Sequence, residues 1–122
     1  MSIDELFDRT YHRQKYNCAN FVCEAWKEIK GTDISELIEP LSCGHPYKPS
    51  SKDNRLFLEC LRKPENPCLA LFQANKKQTH IAIFINRKIL HITENGVEWN
   101  YLENVLLLFN KVRFYNVKSN NC

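Results

Sequence analysis

One cysteine and two histidines in this chain have the residue types and the order needed for thiol catalysis. Cys18 follows Asn17, a good helix-capping residue, so the sequence predicts that the thiol lies at a helix amino terminus. His80 and His91 fall on two strand-like runs further along the chain. A helix amino terminus carries partial positive charge, and a histidine beside such a cysteine can lower its pKa from about 8.5 to roughly 3.5–7.5. The chemistry that this pattern favours is attack by a thiolate on an acyl carbon.

Each of these side chains has an expected role in such a reaction. Cys18 is the expected nucleophile, and His80 takes its proton and later returns it to the leaving group. His91 orients the imidazole of His80, as the third member of a triad does. The backbone N–H of Cys18 would donate one hydrogen bond to the oxyanion. Three nearby residues are candidates for a further oxyanion or substrate contact: Tyr11, Tyr16 and Asn17.

The two histidines share a sheet face only if the turn between their strands has an even number of residues. With a two-residue loop around Arg87, the residue numbers of two opposed positions add up to an odd number, so an even-numbered residue faces an odd-numbered one. Opposed residues share a face of the sheet, and His80 and Ala82 therefore point to the same side as His91. A three-residue loop would send the histidines to opposite sides. We also predict that the cysteine helix packs against the histidine side, because Ala82 leaves room for a helix to approach.

The clearest predicted element is the helix that carries the cysteine. It runs over Cys18–Lys30, with Asn17 as N-cap and Gly31 as the C′ residue. Its apolar residues recur with helical spacing, which predicts one buried stripe on this helix. The residues of the stripe are Cys18, Phe21, Val22, Ala25, Trp26 and Ile29.

The remaining elements predict an α+β fold. Shorter helices are expected over 2–8, 34–38 and 51–62. Strands are expected over 68–73, 80–86, 89–94, 97–102 and 111–117, with a turn or short helix near 104–109. Helices followed by antiparallel strands indicate amino-terminal helices packed on a central β-meander. The 122 residues are expected to form a single domain, residues 1–122, with a hydrophobic core of its own.

Composition argues against several functional classes. The net charge is +3, from 17 basic and 14 acidic residues mixed along the chain, so no basic stripe for nucleic acid is present. No apolar run approaches the roughly 20 residues that span a bilayer. The acidic start lacks the apolar segment of a signal peptide. We therefore expect a protein made in the cytoplasm, with neither a nucleic acid nor a membrane as partner.

The six cysteines raise the question of disulfides. An even count in a secreted chain would suggest bridges, but no secretion signal is seen here. Cys23 and Cys60 fall on apolar faces of predicted helices. Buried free thiols are therefore the expectation, and Cys122 is expected to be a free thiol as well.

A zinc site is the competing interpretation of the cysteines. Cys43 and His45 could begin such a site, with Cys60 or Cys68 completing it. The Cys-x-x-Cys pair that usually anchors these sites is absent. We therefore expect neither a metal nor another cofactor, and His45 could instead line a substrate cleft or lie in a solvated loop.

The motifs around the three proposed catalytic residues resemble the NlpC-type papain-like cysteine peptidases. Members show Asp-Cys-Ser-Gly-Phe/Leu-Val at the cysteine helix, where residues 17–22 are Asn-Cys-Ala-Asn-Phe-Val. They show His-Val-Gly-Ile-Tyr and then Ile-His-Ala, where residues 80–84 are His-Ile-Ala-Ile-Phe and residues 90–92 are Leu-His-Ile. The order matches over most of the chain. Two departures are the replacement of Ser-Gly by Ala19-Asn20 and the missing Asp in the strand at 68–72.

The resemblance implies a papain-like fold with a Cys-His-His triad and no cofactor. Its usual activity is hydrolysis of amide bonds in peptidoglycan stem peptides. Small unfused members resemble proteins encoded with phage tail genes, and others act as secreted toxins. The expected substrate is therefore a peptidoglycan peptide or a similar amide, and a phage-tail or secretion apparatus is the expected delivery partner to the periplasm or cell wall.

Three alternatives to peptidoglycan hydrolysis stay open at the level of the sequence. The same cysteine and histidines could support acyl transfer or protein deamidation. The chain could also be a non-catalytic interaction module, such as a phage-tail component. Residues 17–22 further resemble the lecithin:retinol acyltransferase branch, in which the cysteine follows the histidines; the order here disfavours that branch.

Overall fold

The structure is a computed structural model that describes residues 4–12, 15–38, 58–74 and 78–117. The described helices are a 3-10 helix (Asp4–Asp8), α1 (Cys18–Lys30), α2 (Ser35–Ile38) and α3 (Leu102–Leu106). The described strands are β1 (Leu58–Leu61), β2 (Cys68–Ala74), β3 (Gln78–Ile85), β4 (Lys88–Thr93), β5 (Gly96–Tyr101) and β6 (Lys111–Val117). The predicted α+β class is therefore confirmed.

A single antiparallel sheet joins the six strands in the order β1-β6-β2-β3-β4-β5. The strands from β2 to β5 follow one another as neighbours, as the predicted meander requires. The last strand departs from a simple meander, because β6 lies between β1 and β2. The central strands β2, β3 and β4 are the most buried and position the candidate site.

The caps of α1 explain why this helix begins and ends where the sequence predicts. Asn17 has extended backbone angles, and its side-chain oxygen accepts hydrogen bonds from Ala19 N at 3.0 Å and Asn20 N at 3.4 Å. Asn20 Oδ1 accepts from Asn17 N at 3.0 Å, which completes a capping box. At the other end Gly31 adopts φ +73°, a left-handed conformation that a residue without Cβ reaches without strain.

The turn between β3 and β4 has the even length that the shared histidine face requires. Asn86 and Arg87 form it with φ values of +53° and +68°, the left-handed pair of a two-residue type I′ turn. Ile85 and Lys88 face each other across this turn, so the residue numbers of opposed positions add up to an odd number, as predicted. The next hairpin turns at Glu94 and Asn95, and Gly96 is the first residue of β5.

The helix α1 packs on the opposite side of the sheet from the one predicted. Its stripe shares a buried cluster with alternate residues of the central strands, here called the helix-side cluster; its sheet members include Leu69, Leu71, Ile81, Ile83, Leu90 and Ile92. Ala82 belongs to a second cluster on the other face, with Cys68, Ala70, Phe72, Phe84, Ile89, Val105 and Phe114. The prediction from Ala82 was wrong, because the apolar stripe of α1 packs against the aliphatic side chains of the other face. Ala82 instead lies opposite Ala70 in the β2–β3 ladder.

The predicted helix over 51–62 is wrong at its carboxyl end. Leu58–Leu61 is the strand β1, paired with β6, and Cys60 is exposed on it rather than buried on a helix. Residues 51–57 lie outside the described part of the chain. A local apolar pattern could not report this pairing, because the partner strand lies far along the chain. In the described residues, no helix has the length and apolar character to cross a membrane.

The capping box provides a test of what positions Cys18. Replacing Asn17 with Ala removes the acceptor for two backbone N–H groups and should lower the free energy of unfolding by about 1 kcal/mol. Asn17→Asp retains the acceptor and should stay close to the wild type. Urea unfolding followed by circular dichroism under reducing conditions measures both. An unchanged midpoint for Asn17→Ala would contradict the capping role.

Candidate active site

A chain of side-chain hydrogen bonds joins both predicted histidines to an asparagine. His80 Nε2 lies 2.7 Å from His91 Nδ1, and His91 Nε2 lies 2.8 Å from Asn100 Oδ1. The two imidazoles meet edge to face, with ring centroids 5.0 Å apart. The predicted contact between the two histidines is therefore present, and it extends one residue further than the sequence analysis reached.

The hydrogen bond to Asn100 fixes the proton positions along this chain. Asn100 Oδ1 can only accept, so His91 Nε2 carries a proton and donates it. In neutral His91 the Nδ1 atom is then the acceptor, and His80 Nε2–H is the donor to it. Neutral His80 consequently has its lone pair on Nδ1. This is the tautomer that a general base needs, because the second nitrogen is held by an orienting partner.

The lone pair of His80 lies on the ring nitrogen that the hydrogen bond to His91 does not use. Within the described residues the hydrogen bond of His80 goes to His91, and Nδ1 has no partner there. The residue as a whole is half-buried. Nδ1 is therefore the atom of His80 that can accept a proton from another group.

Aromatic rings enclose the remaining surface of His80. Phe109 stacks on its imidazole, with centroids 5.4 Å apart and planes 4° from parallel. Phe72, opposite His80 in the β2–β3 ladder, lies at a centroid distance of 6.3 Å. These rings belong to the second cluster or pack against it, so both histidines point to the face opposite α1.

Burial keeps both histidines neutral. Desolvation, followed by the neighbouring His91, lowers the pKa of His80 to about 3. Desolvation also lowers the pKa of His91, although the hydrogen bond to Asn100 and the charge of Glu98 act in the other direction. Glu98 is directly opposite His91 on β5, and its carboxylate accepts a hydrogen bond from Thr93 Oγ1. At neutral pH both imidazoles are therefore uncharged.

Cys18 occupies the first residue of α1, as predicted, but the structure does not bring it into hydrogen-bond contact with His80. Its side chain is 1% exposed and belongs to the helix-side cluster. His80 and His91 alternate with the strand residues of that cluster and so point away from it. The sulfur of Cys18 is disulfide-bonded. The expectation of a free thiol is thus wrong for Cys18 and correct for Cys23, Cys60 and Cys68.

The three candidate oxyanion residues have other contacts in this structure. The hydroxyl of Tyr16 donates a short hydrogen bond to the carboxylate of Glu24, and burial together with that carboxylate raises the pKa of Tyr16. Arg9 holds the same carboxylate with two nitrogens, at 2.9 and 2.6 Å, and lowers the pKa of Glu24. Asn17 caps α1 with its side chain, and Tyr11 packs against the helix-side cluster.

Asn100 and Glu98 lie on β5, and their position follows from the register of the second hairpin, which was not among the expectations from the sequence. The Asn95-Gly96 signal already predicts a second hairpin after β4. Its two-residue turn pairs His91 with Glu98 and Ile89 with Asn100, which places both β5 side chains on the histidine face. The same register rule, applied to β4 and β5, predicts the positions of Glu98 and Asn100.

The metal alternative has no support from the described side chains. Within residues 4–12, 15–38, 58–74 and 78–117, no three His, Cys, Asp or Glu side chains are grouped as a metal site would require. Cys43, His45 and Cys122 lie outside these ranges, so the predicted roles of those residues lie outside the described part as well.

The lowered histidine pKa values predict how stability depends on pH. Below about pH 6.5 the unfolded chain binds protons that the folded chain does not, so stability is full above that pH and falls toward the folded pKa of His80, about 3. Between pH 7 and 5 we expect a loss on the order of 1–2 kcal/mol in the free energy of unfolding. Glu24 acts in a lower window, because its pKa is lowered from 4.5.

Urea titrations at several pH values measure this loss. His80→Leu removes one titrating group and should flatten the dependence between pH 7 and 5. A wild-type protein that is equally stable at both pH values, or more stable at pH 5, would contradict the burial of neutral histidines.

Comparison with known proteins adds no relative. Neither a scan against protein-family models nor a search of curated proteins found a match to this chain. The resemblance to the NlpC-type peptidases therefore depends on the short motifs at Cys18, His80 and His91. What the site can do follows from its geometry.

Proposed function

We propose that this chain is a papain-like cysteine hydrolase that cleaves amide bonds in peptidoglycan stem peptides through a thioacyl intermediate on Cys18. The observation that carries the proposal is the hydrogen-bond chain from His80 through His91 to Asn100. It leaves a lone pair on Nδ1 of a neutral, oriented imidazole, and that nitrogen is the one that a general base would use. The motifs around residues 17–22, 80–84 and 90–92 supply the family and the substrate class.

The nucleophile side of the proposal draws on the amino terminus of α1. Cys18 is the first residue of a helix whose capping box holds its end in place. The partial positive charge there favours a thiolate over a thiol. Because Cys18 is disulfide-bonded in this structure, turnover requires a reducing thiol that cleaves the bond and releases the Cys18 thiolate.

The reaction then proceeds in two halves. His80 Nδ1 takes the proton of Cys18, and the sulfur attacks the amide carbon while the backbone N–H of Cys18 donates to the oxyanion. His80 returns the proton to the leaving amine, and a thioester remains on Cys18. Water, deprotonated by His80, hydrolyses that thioester and restores the thiol. His91 accepts from His80 Nε2–H throughout and stabilises the imidazolium, with Asn100 behind it.

The proposal makes one geometric demand on the sheet. Cys18 belongs to the helix-side cluster, whereas His80 points to the opposite face, so the reduced sulfur and the imidazole have to meet from different sides of the sheet. His80 is the third residue of β3, close to the amino-terminal end of that strand.

The second candidate function is a non-catalytic interaction module. The oxidised state of Cys18 and the placement of the histidines on the other face both favour it. In that case the histidine chain only satisfies buried polar groups on the sheet. The two functions differ in whether the imidazole of His80 changes the pKa of the reduced Cys18 thiol, and that pKa can be measured.

The reactivity of Cys18 distinguishes the two candidates. In the reduced protein, iodoacetamide labelling followed by peptide mass spectrometry should give Cys18 an apparent pKa below about 7.5, as for a thiol paired with histidine. His80→Ala should raise that value by about one unit or more. Cys60, exposed on β1, is the internal reference thiol and should not respond to His80→Ala.

A Cys18 that labels only above about pH 8.5, with no response to His80→Ala, would favour the non-catalytic module. Cys23→Ala serves as a matched control, because Cys23 is a free, half-buried thiol on the same helix.

Turnover provides the second test. Purified peptidoglycan fragments incubated with the protein should show new amide cleavage by mass spectrometry only when dithiothreitol is present. Cys18→Ala should abolish cleavage, while the reduced variant should unfold within about 1 kcal/mol of the reduced wild type, since one sulfur is lost. Cleavage that survives in Cys18→Ala would rule out the thioacyl mechanism. Transfer of the acyl group to an added amine would instead identify the acyltransferase alternative.

A further inference from the structure

Phe109 makes the closest parallel ring contact in the candidate site. Its ring lies 4° from the plane of the His80 imidazole, at a centroid distance of 5.4 Å. It also contacts Phe72, at a centroid distance of 5.3 Å, so the three rings form one group. The parallel plane distinguishes Phe109 from Phe72, whose ring is tilted by 38° to the imidazole.

The backbone on both sides holds Phe109 in this position. Asn110 N donates to Gln73 O on β2 at 2.8 Å, which fixes the chain directly after the ring. On the other side, α3 buries Val105 in the second cluster. Leu107 and Leu108 lie between these anchors and are 84% and 72% exposed. The segment therefore packs the partly buried Phe109 on the histidine face, while the two residues before it face solvent.

We propose that Phe109 is a positioning residue that fixes the plane of the His80 imidazole and so directs its Nδ1 lone pair. The hydrogen bond to His91 holds only one ring nitrogen, and the ring can still rotate about that bond. The direction of a lone pair in the ring plane changes with that rotation. A flat ring stacked parallel to the imidazole opposes it, because stacking is lost as the planes separate.

This inference rests on the proposed function only in the use that it assigns to Nδ1. The positioning itself is a property of the ring pair and can be measured without turnover. Phe109 also covers one face of the imidazole, which is a separate effect with a different signature. A side chain that is apolar but not flat separates the two effects.

The experiment compares three substitutions of Phe109 with a matched neighbour. Phe109→Leu keeps an apolar side chain and removes the flat ring; Phe109→Ala removes both; Phe109→Tyr keeps both. Leu108→Ala is the control, since this exposed neighbour lies in the same segment. Nitrogen-15 NMR of the folded protein measures the His80 pKa and tautomer, and the hydrogen-exchange rate of its Nε2–H reports how firmly the ring is held.

We expect the Nε2–H of His80 to exchange about three- to tenfold faster in Phe109→Leu, with its pKa still low, because an aromatic pair contributes about that factor. In Phe109→Ala the exchange should be faster and the pKa should rise as water reaches the ring. Phe109→Tyr and Leu108→Ala should match the wild type. On peptidoglycan fragments, Phe109→Leu should lower kcat by a similar factor and leave KM unchanged.

The proposal is overturned if Phe109→Leu has the exchange rate of the wild type, or if Leu108→Ala changes it as much. Should Phe109→Ala fail to fold, Phe109→Leu still decides the question. A wild type without thiol-dependent cleavage would overturn the proposed function, while the exchange rates would continue to test the positioning.

Discussion

The two-residue turn at Asn86 and Arg87 determines which side chains the central sheet can bring together. Both residues have left-handed backbone angles, and the resulting register places alternate residues of β3 and β4 on a common face. One consequence is the direct contact between His80 and His91. The other is that the aliphatic residues between them fall on the opposite face, where α1 packs. A single turn thus creates the histidine pair and separates it from the body of the cysteine helix.

The histidine pair also shows how a polar group is accommodated on a mostly apolar face. Burying an imidazole costs free energy unless its nitrogens find partners, and here two rings and one amide satisfy each other in sequence. The chain ends at Asn100 on the edge strand β5 and at Nδ1 of His80 on the other side. Desolvation makes protonation of both imidazoles unfavourable, so the pair is neutral at neutral pH. Apolar packing therefore tunes the chemistry of the site.

Local signals made much of this molecule predictable. The ends of α1 follow from Asn17 and Gly31, and the histidine contact follows from counting residues across one turn. The face of the sheet on which α1 packs could not be predicted in the same way. The sequence shows that both sides of β3 carry apolar residues, but it does not show which side contacts the helix. The strand β1 was mistaken for a helix because its identity depends on a distant partner. The disulfide of Cys18 was not predicted, because the even cysteine count was interpreted as the free thiols of a protein made in the cytoplasm.

The position of β6 between β1 and β2 has a consequence for how the sheet assembles. Among the described strands β1 pairs with β6 alone, and the residues of β2 to β5 are made between them. On the ribosome, Leu61 therefore emerges well before Lys111, the first residue of its partner strand. The meander can form from neighbouring segments, whereas β1 must wait until β6 is synthesised and docks against β2. The β1–β6 edge therefore depends on long-range pairing, whereas the histidine pair lies in a hairpin of neighbouring strands.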